Sequence, residues 1–288
     1  MTEKARRDVG KADVLSSALE IKPIVDGLLW QVDVRSILEK THLHWDTEML
    51  NLAKTAKRAP IQGGSVSTSM ASPDFVTDYN PTNRLTIARE LPWVVDFFKG
   101  AFRDLVEKAT GDSSVRLGQD PSALNMNLTF PGKPYELHTD RNPWTGMLIV
   151  ITMNEGEGGE TVFWPASLML EGPSPSLRRP GLNPDLLNRI DHWQELSHED
   201  RLKAWKELEI WNLLYPKEGE PTYLPVATVR PQAGTLLIFN GRDHIHEVRA
   251  FTPSSSNRFR LTVPGNYYTT AVPEVPDPDF NKQIGVGK

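Results

Sequence analysis

The chain of 288 residues contains no cysteine. That excludes disulfides and thiolate metal sites, so any metal must be held by imidazole and carboxylate groups. Long apolar runs are missing too: no stretch approaches the roughly 20 residues a membrane-spanning helix needs. The opening Met1-Thr-Glu-Lys-Ala-Arg-Arg-Asp8 lacks the apolar core of a secretory signal. There is no excess of positive charge either. With 32 basic and 37 acidic residues the net charge is −5 and the isoelectric point is near 5.8, which leaves no footprint for nucleic acid or an anionic membrane. Work on a small molecule in the cytoplasm is the expectation, and the sequence sets no oligomeric state.

What the chain does carry is three His-x-Asp triplets: His44-Trp-Asp46, His138-Thr-Asp140 and His198-Glu-Asp200. Its 7 His and 18 Asp make roughly 0.4 such triplets expected by composition alone, so the string by itself proves nothing. Side chains at i and i+2 share one face of a strand but lie about 200° apart around a helix, so only an extended segment can chelate one ion with both. Ser197-His-Glu-Asp200 reads as a capping box opening a helix whose buried stripe is Leu202, Trp205, Leu208 and Trp211. His44 and Asp46 precede another helix, with Asp46 or Thr47 as its N-cap.

His138 and Asp140 have β neighbours. Leu124 to Phe130 alternates apolar and polar residues, Pro131 to Pro134 supplies turn chemistry, and Tyr135 to Asp140 follows as a short strand. Arg141 to Gly146 reads as a turn, and Met147 to Asn154 as a strand buried on both faces. A metal centre of two imidazoles and one carboxylate with open positions needs a second histidine. His244 and His246 both offer one, after a strand over 235–239 and an Asn240-Gly241 turn, and they would share a strand face. The residues alone leave the choice between them open.

The ordered segments His138-Thr-Asp140, Gly158-Gly-Glu-Thr-Val-Phe163, Ala233-Gly-Thr-Leu-Leu-Ile-Phe239, His246-Glu-Val-Arg-Ala250 and Arg258-Phe-Arg-Leu261 resemble the iron(II)- and 2-oxoglutarate-dependent dioxygenases, most nearly their prolyl-hydroxylase-like branch. The resemblance covers residues 120–266 with a long interruption. It implies that His138, Asp140 and His246 ligate Fe(II), selecting His246 over His244. It likewise selects Arg258 over Arg260 as the anchor for the far carboxylate of 2-oxoglutarate, and carries Thr152 over as a further hydrogen-bond donor to that cosubstrate. The spacing of 12 from His246 to Arg258 is longer than the usual pattern, and Pro253 to Asn257 can absorb the excess in a turn. Implied chemistry is hydroxylation of an unactivated C–H bond with O2, releasing succinate and CO2. Asp140 favours this outcome over halogenation, since halogenating relatives lack the carboxylate.

Eight strand candidates, 124–130, 135–140, 147–154, 160–164, 222–229, 235–239, 245–251 and 258–264, fit a mainly β fold with flanking helices. The resemblance makes this a double-stranded β-helix, or jelly roll, of the cupin-like kind. The expected layout is a single domain: a frayed start at 1–13, helical support over 14–120, a core over 121–266 with a helical insertion at about 165–232, and a tail over 267–288. Within the support, Leu91, Val95, Phe98, Phe102, Leu105 and Val106 form one stripe of a helix from Ala88 to Thr110, stopped by Gly111. Arg84, Arg89, Arg141, Arg178 and Arg179 could form a positive mouth suited to a carboxylate or another anionic group. Free or N-substituted amino acids and natural-product intermediates are the implied substrates. A peptide or protein hydroxylase, and a non-catalytic cupin-like protein binding metal or 2-oxoglutarate, are the competing readings.

Overall fold

Leu148 and Ile149 are strand neighbours and so point to opposite faces, yet both are at most 1% exposed. A strand like this needs cover on both sides. In the computed structural model helices supply it on one face and a second sheet on the other. The structure describes residues 19–55, 61–62, 76–77, 79–132, 135–164, 169–170, 179–180, 224–254 and 259–275.

Eleven strands matter for the site. They are β1 Lys22–Val25, β2 Leu29–Asp33, β3 Tyr79–Asn83, β4 Asn125–Thr129, β5 Tyr135–His138, β6 Trp144–Ile149, β7 Thr161–Phe163, β8 Ala227–Val229, β9 Thr235–Phe239, β10 His246–Val248 and β11 Arg260–Tyr268. The large sheet runs β1-β2-β9-β6-β11-β4-β3, with Arg116–Leu117 added on β11, and the small sheet runs β8-β7-β10-β5. Every pairing is antiparallel. From β4 to β11 the chain visits the sheets in the order large, small, large, small, small, large, small, large, which is the jelly-roll path expected from the sequence.

Strand alternation then sorts the side chains. Met147, Ile149, Leu237 and Phe239 face inward and meet Phe163 and Val229 of the small sheet. Leu148, Leu236, Ile238, Leu261 and Val263 face outward onto Phe98, Phe102, Leu105 and Val106. Burying a side chain of this size contributes about 1.5–3 kcal/mol, so these two layers are the main source of the fold's stability.

Three expectations need correction. The run from Ala88 to Thr110 is not one helix but parts of three: α3 Arg84–Glu90, α4 Pro92–Lys99 and α5 Ala101–Thr110, following α1 Arg35–Thr41 and α2 Trp45–Thr55. Pro92 lacks the N–H that would continue α3 and opens α4 instead, while Gly100, at φ −103° and ψ −105°, leaves helical space. The expected stop at Gly111 is present, with φ 72°. Second, the support over 14–120 is not all helical, because β1 and β2 extend the large sheet beyond β9. Third, the strand expected over 147–154 is displaced to 144–149, so Trp144, Thr145 and Gly146 are strand rather than turn. The ladder to β11 holds them there, with Trp144 opposite Tyr267. β11 itself continues to Tyr268, past the expected end of the core at 266.

Of the insertion, the antiparallel pair Met169–Leu170 and Arg179–Pro180 and the segment from residue 224, which carries β8, are described; the helices expected there, with His198 and Asp200, lie outside the described residues. No helix among the described residues is long and apolar enough to cross a membrane.

Candidate metal and cosubstrate site

The backbone brings the two halves of the site together through one ladder. β10 lies against β5 with His246 opposite His138, and their rings stand 4.1 Å apart between centroids. β5 ends at His138, so Asp140 lies beyond the strand rather than in it as expected. Its position is held by its own N–H, which donates to Gly241 O at 2.8 Å. One oxygen, Asp140 Oδ1, then stands 3.8 Å from His138 Nε2 and 3.7 Å from His246 Nε2. The three ligand atoms all lie within 4.8 Å of one another. A single ion can sit between them.

The tautomer of His246 is set by its other nitrogen. Nδ1 faces His244 O at 3.1 Å, and a carbonyl can only accept, so Nδ1 carries a hydrogen and Nε2 is the nitrogen turned toward Asp140 Oδ1 and able to ligate a metal. Phe163 and Phe239 flank the same ring, at 5.8 Å and 5.1 Å between centroids. They make one wall of the site dry.

Asp140 Oδ2 is engaged separately. It accepts from Thr145 Oγ1 at 2.5 Å, and Thr145 Oγ1 in turn accepts from Asn142 Nδ2 at 2.8 Å. Asn142 Nδ2 also donates to Trp144 O at 2.6 Å. Gly241 leaves the space in which this oxygen sits, since a Cβ there would stand 2.2 Å from Oδ2. The sequence reading placed Asn142 and Thr145 in a turn and gave them no role. No local pattern marks them, because their function depends on the β6 boundary.

The jelly-roll interior also holds a cation. Arg260 lies one residue from outward-facing Leu261, so it points inward, and it is 3% exposed. Its Nε donates to Gly159 O at 3.1 Å and its Nη2 to Thr161 Oγ1 at 3.2 Å. Burial alone lowers its pKa to about 10, and among the described residues no carboxylate pairs with it. Arg258, the anchor selected from the resemblance, lies outside the described residues. Thr152 is exposed beyond the end of β6, where its hydroxyl accepts from Ala233 N at 2.9 Å.

The arginines expected at a positive mouth have these surroundings. Arg84 donates to Gly118 O at 2.6 Å and Arg89 pairs with Glu90 at 2.6 Å, while Arg178 is outside the described residues and nothing is described of the Arg179 side chain. Arg141 follows Asp140 directly, and the charges of both reach the Tyr268 phenol, whose pKa is raised mainly by burial.

No protein-family model matches the sequence, and no curated protein does. Solved structures do match. Among the structures it resembles are α-ketoglutarate-dependent and 2OG-Fe(II) oxygenase-family proteins and a prolyl-4-hydroxylase. A non-haem α-ketoglutarate-dependent epimerase of nogalamycin biosynthesis is 16% identical at a TM-score of 0.46, over 93% of this chain and 91% of that one. A 2OG-Fe(II) oxygenase-family oxidoreductase from Burkholderia pseudomallei is 10% identical at 0.48, over 90% of each chain. A prolyl-4-hydroxylase from Pseudomonas putida is 12% identical at 0.41, over 91% of this chain and 98% of that one. The epimerase has also been solved in complex with Fe3+, α-ketoglutarate and nogalamycin RO. At these identities and TM-scores the activities belong to those proteins, and the jelly roll of this chain stands on its own strand order.

Proposed function

We propose that the chain is an iron(II)- and 2-oxoglutarate-dependent oxygenase that hydroxylates a C–H bond of a small molecule. The observation that carries this reading is the convergence of two imidazoles and one carboxylate, with His138 Nε2 and His246 Nε2 both facing Asp140 Oδ1 and the ligand atoms within 4.8 Å of one another. That donor set suits ferrous iron and leaves the opposite positions open. With iron bound, the site would supply oxidative decarboxylation of 2-oxoglutarate to succinate and CO2, coupled to oxidation of a C–H bond by O2.

The chain's own part is binding, orientation and exclusion of water. Arg260 fits as anchor for the far carboxylate of 2-oxoglutarate, in place of Arg258. Its partner Thr161 stands two residues from Phe163 along β7, or about 7 Å, and Phe163 lies opposite His246. This separation suits a diacid whose other end lies at the metal. A guanidinium can give a carboxylate two parallel hydrogen bonds, and in a dry interior these are strong. Phe163 and Phe239 keep water from one side of the reacting centre. For the substrate, Arg141 beside Asp140 supports a molecule bearing a carboxylate or another anionic group.

The test is succinate formation from 2-oxoglutarate in air, with Fe(II) and a panel of carboxylate-bearing small molecules. Succinate released by the wild type and not by His246→Ala is the expected result. An equal background in both proteins, with no panel member raising it, would overturn the reading.

A further inference from the structure

Asp140 presents its two oxygens to different surroundings, and the difference is built from residues that do not touch the metal position. Oδ1 faces both Nε2 atoms. Oδ2 is enclosed between the Thr145 hydroxyl and the notch at Gly241. Thr145 has a single hydroxyl hydrogen. Asn142 Nδ2 can only donate, so it occupies an acceptor site of Thr145 Oγ1 and leaves that hydrogen for Asp140. Asn142 and Thr145 are each 2% exposed, so water does not compete for these bonds. Asn142 is tied in turn to the backbone at Trp144 O. The hydrogen-bond chain thus has one direction, and it ends on one carboxylate oxygen.

We propose that Asn142 and Thr145 are positioning residues that hold Asp140 as a one-oxygen ligand, withholding Oδ2 from the metal so that the positions opposite the three ligands stay open. The inference rests on the iron-site reading above and extends it to residues outside the ligand set. A carboxylate left to turn could chelate the ion through both oxygens and occupy a position that the cosubstrate or O2 requires. Gly241 belongs to the same device, since any side chain there would push Oδ2 out of its place.

The test uses the full chain and two probes, Co(II) alone and Fe(II) without oxygen, with metal affinity as the readout. Thr145→Val keeps the shape and removes the donor. It is expected to weaken binding of both ions about 10–100-fold, the range typical for loss of a partner that orients a metal ligand. Asn142→Ala is expected to weaken binding in the same direction by less. Thr145→Ser, which restores the hydroxyl, is expected to return affinity to near the wild-type value. A crystal structure of the Mn(II)-loaded wild type is expected to show Oδ1 on the metal and Oδ2 still on Thr145.

Wild-type affinity in Thr145→Val, Thr145→Ser as weak as Thr145→Val, or both Asp140 oxygens on Mn(II) would each overturn the proposal. If Thr145→Val does not fold, the Asn142→Ala and Thr145→Ser pair and the Mn(II) structure still decide it. A wild type that binds neither ion contradicts the iron-site reading itself, which is a different outcome.

Discussion

A guanidinium that is 3% exposed and has no carboxylate partner among the described residues is costly to bury, and the hydrogen bonds of Arg260 to Gly159 O and Thr161 Oγ1 offset part of the cost. Its folded-state pKa of about 10 lies below the ordinary arginine value. The unfolded chain therefore holds this proton more tightly; the burial penalty is complete below about pH 10 and is relieved as pH rises through it. At neutral pH the group is charged, and a bound carboxylate would compensate it. Arg260→Ala is expected to raise the KM for 2-oxoglutarate by about 30-fold or more, from the roughly 2–5 kcal/mol lost when one partner of a buried charged pair is removed. Steady-state succinate assays check this, and an unchanged KM would return the role to Arg258. Gly241→Ala is expected to abolish Co(II) binding, measured by titration, because its Cβ would meet Asp140 Oδ2 at 2.2 Å. His138 and Asp140 were legible in the sequence because an i, i+2 pair at a strand end is a local pattern. His246 was not separable from His244 on the residues alone, since what decides it is the register of β10 on β5. Register joins positions more than 100 residues apart in sequence, as a one-dimensional pattern does not.

The strands that carry the site came through as alternation bounded by turn residues, and β4, β7 and β9 fall within two residues of their expected limits. β1 and β2 did not, because KPIV and LWQVD are too short to show a period and are held by pairing, β1 on β2 and β2 on β9. The stripe from Leu91 to Val106 did mark a buried face. Apolar spacing survives a break at Pro92 or Gly100, so it reports which face is buried and not how many helices carry it. Those helices dock on the outer face of β11 with little room: Tyr267 donates its hydroxyl to Phe98 O at 2.8 Å, and a Cβ at Gly265 would stand 2.5 Å from Phe98 Cδ1. Gly265→Ala is expected to destabilise the fold by about 1–3 kcal/mol, as overpacking does. Urea unfolding measures this. Co(II) affinity of the folded variant should be unchanged, because Gly265 packs on the face away from the metal position.

Two sheets packed face to face share an apolar interior, and the fold holds a few polar groups beside it. His138, Asp140 and His246 come from β5, the turn after it and β10, while Arg260 is buried on the inward face of β11. A cosubstrate bridging these groups would join β5, β10 and β11, so its binding should stabilise the entire domain. With Co(II) present, 2-oxoglutarate at about 100 times its Kd is expected to add roughly 2.7 kcal/mol, a rise of several degrees in Tm that Arg260→Ala should lose. The most direct test of the account is an anaerobic titration of the full chain with Fe(II) and 2-oxoglutarate, watched in the visible range. A metal-to-ligand charge-transfer band is expected that needs both additions, is absent in His246→Ala and persists in His244→Ala. No band in the wild type, or a band lost with His244 and kept without His246, would contradict it.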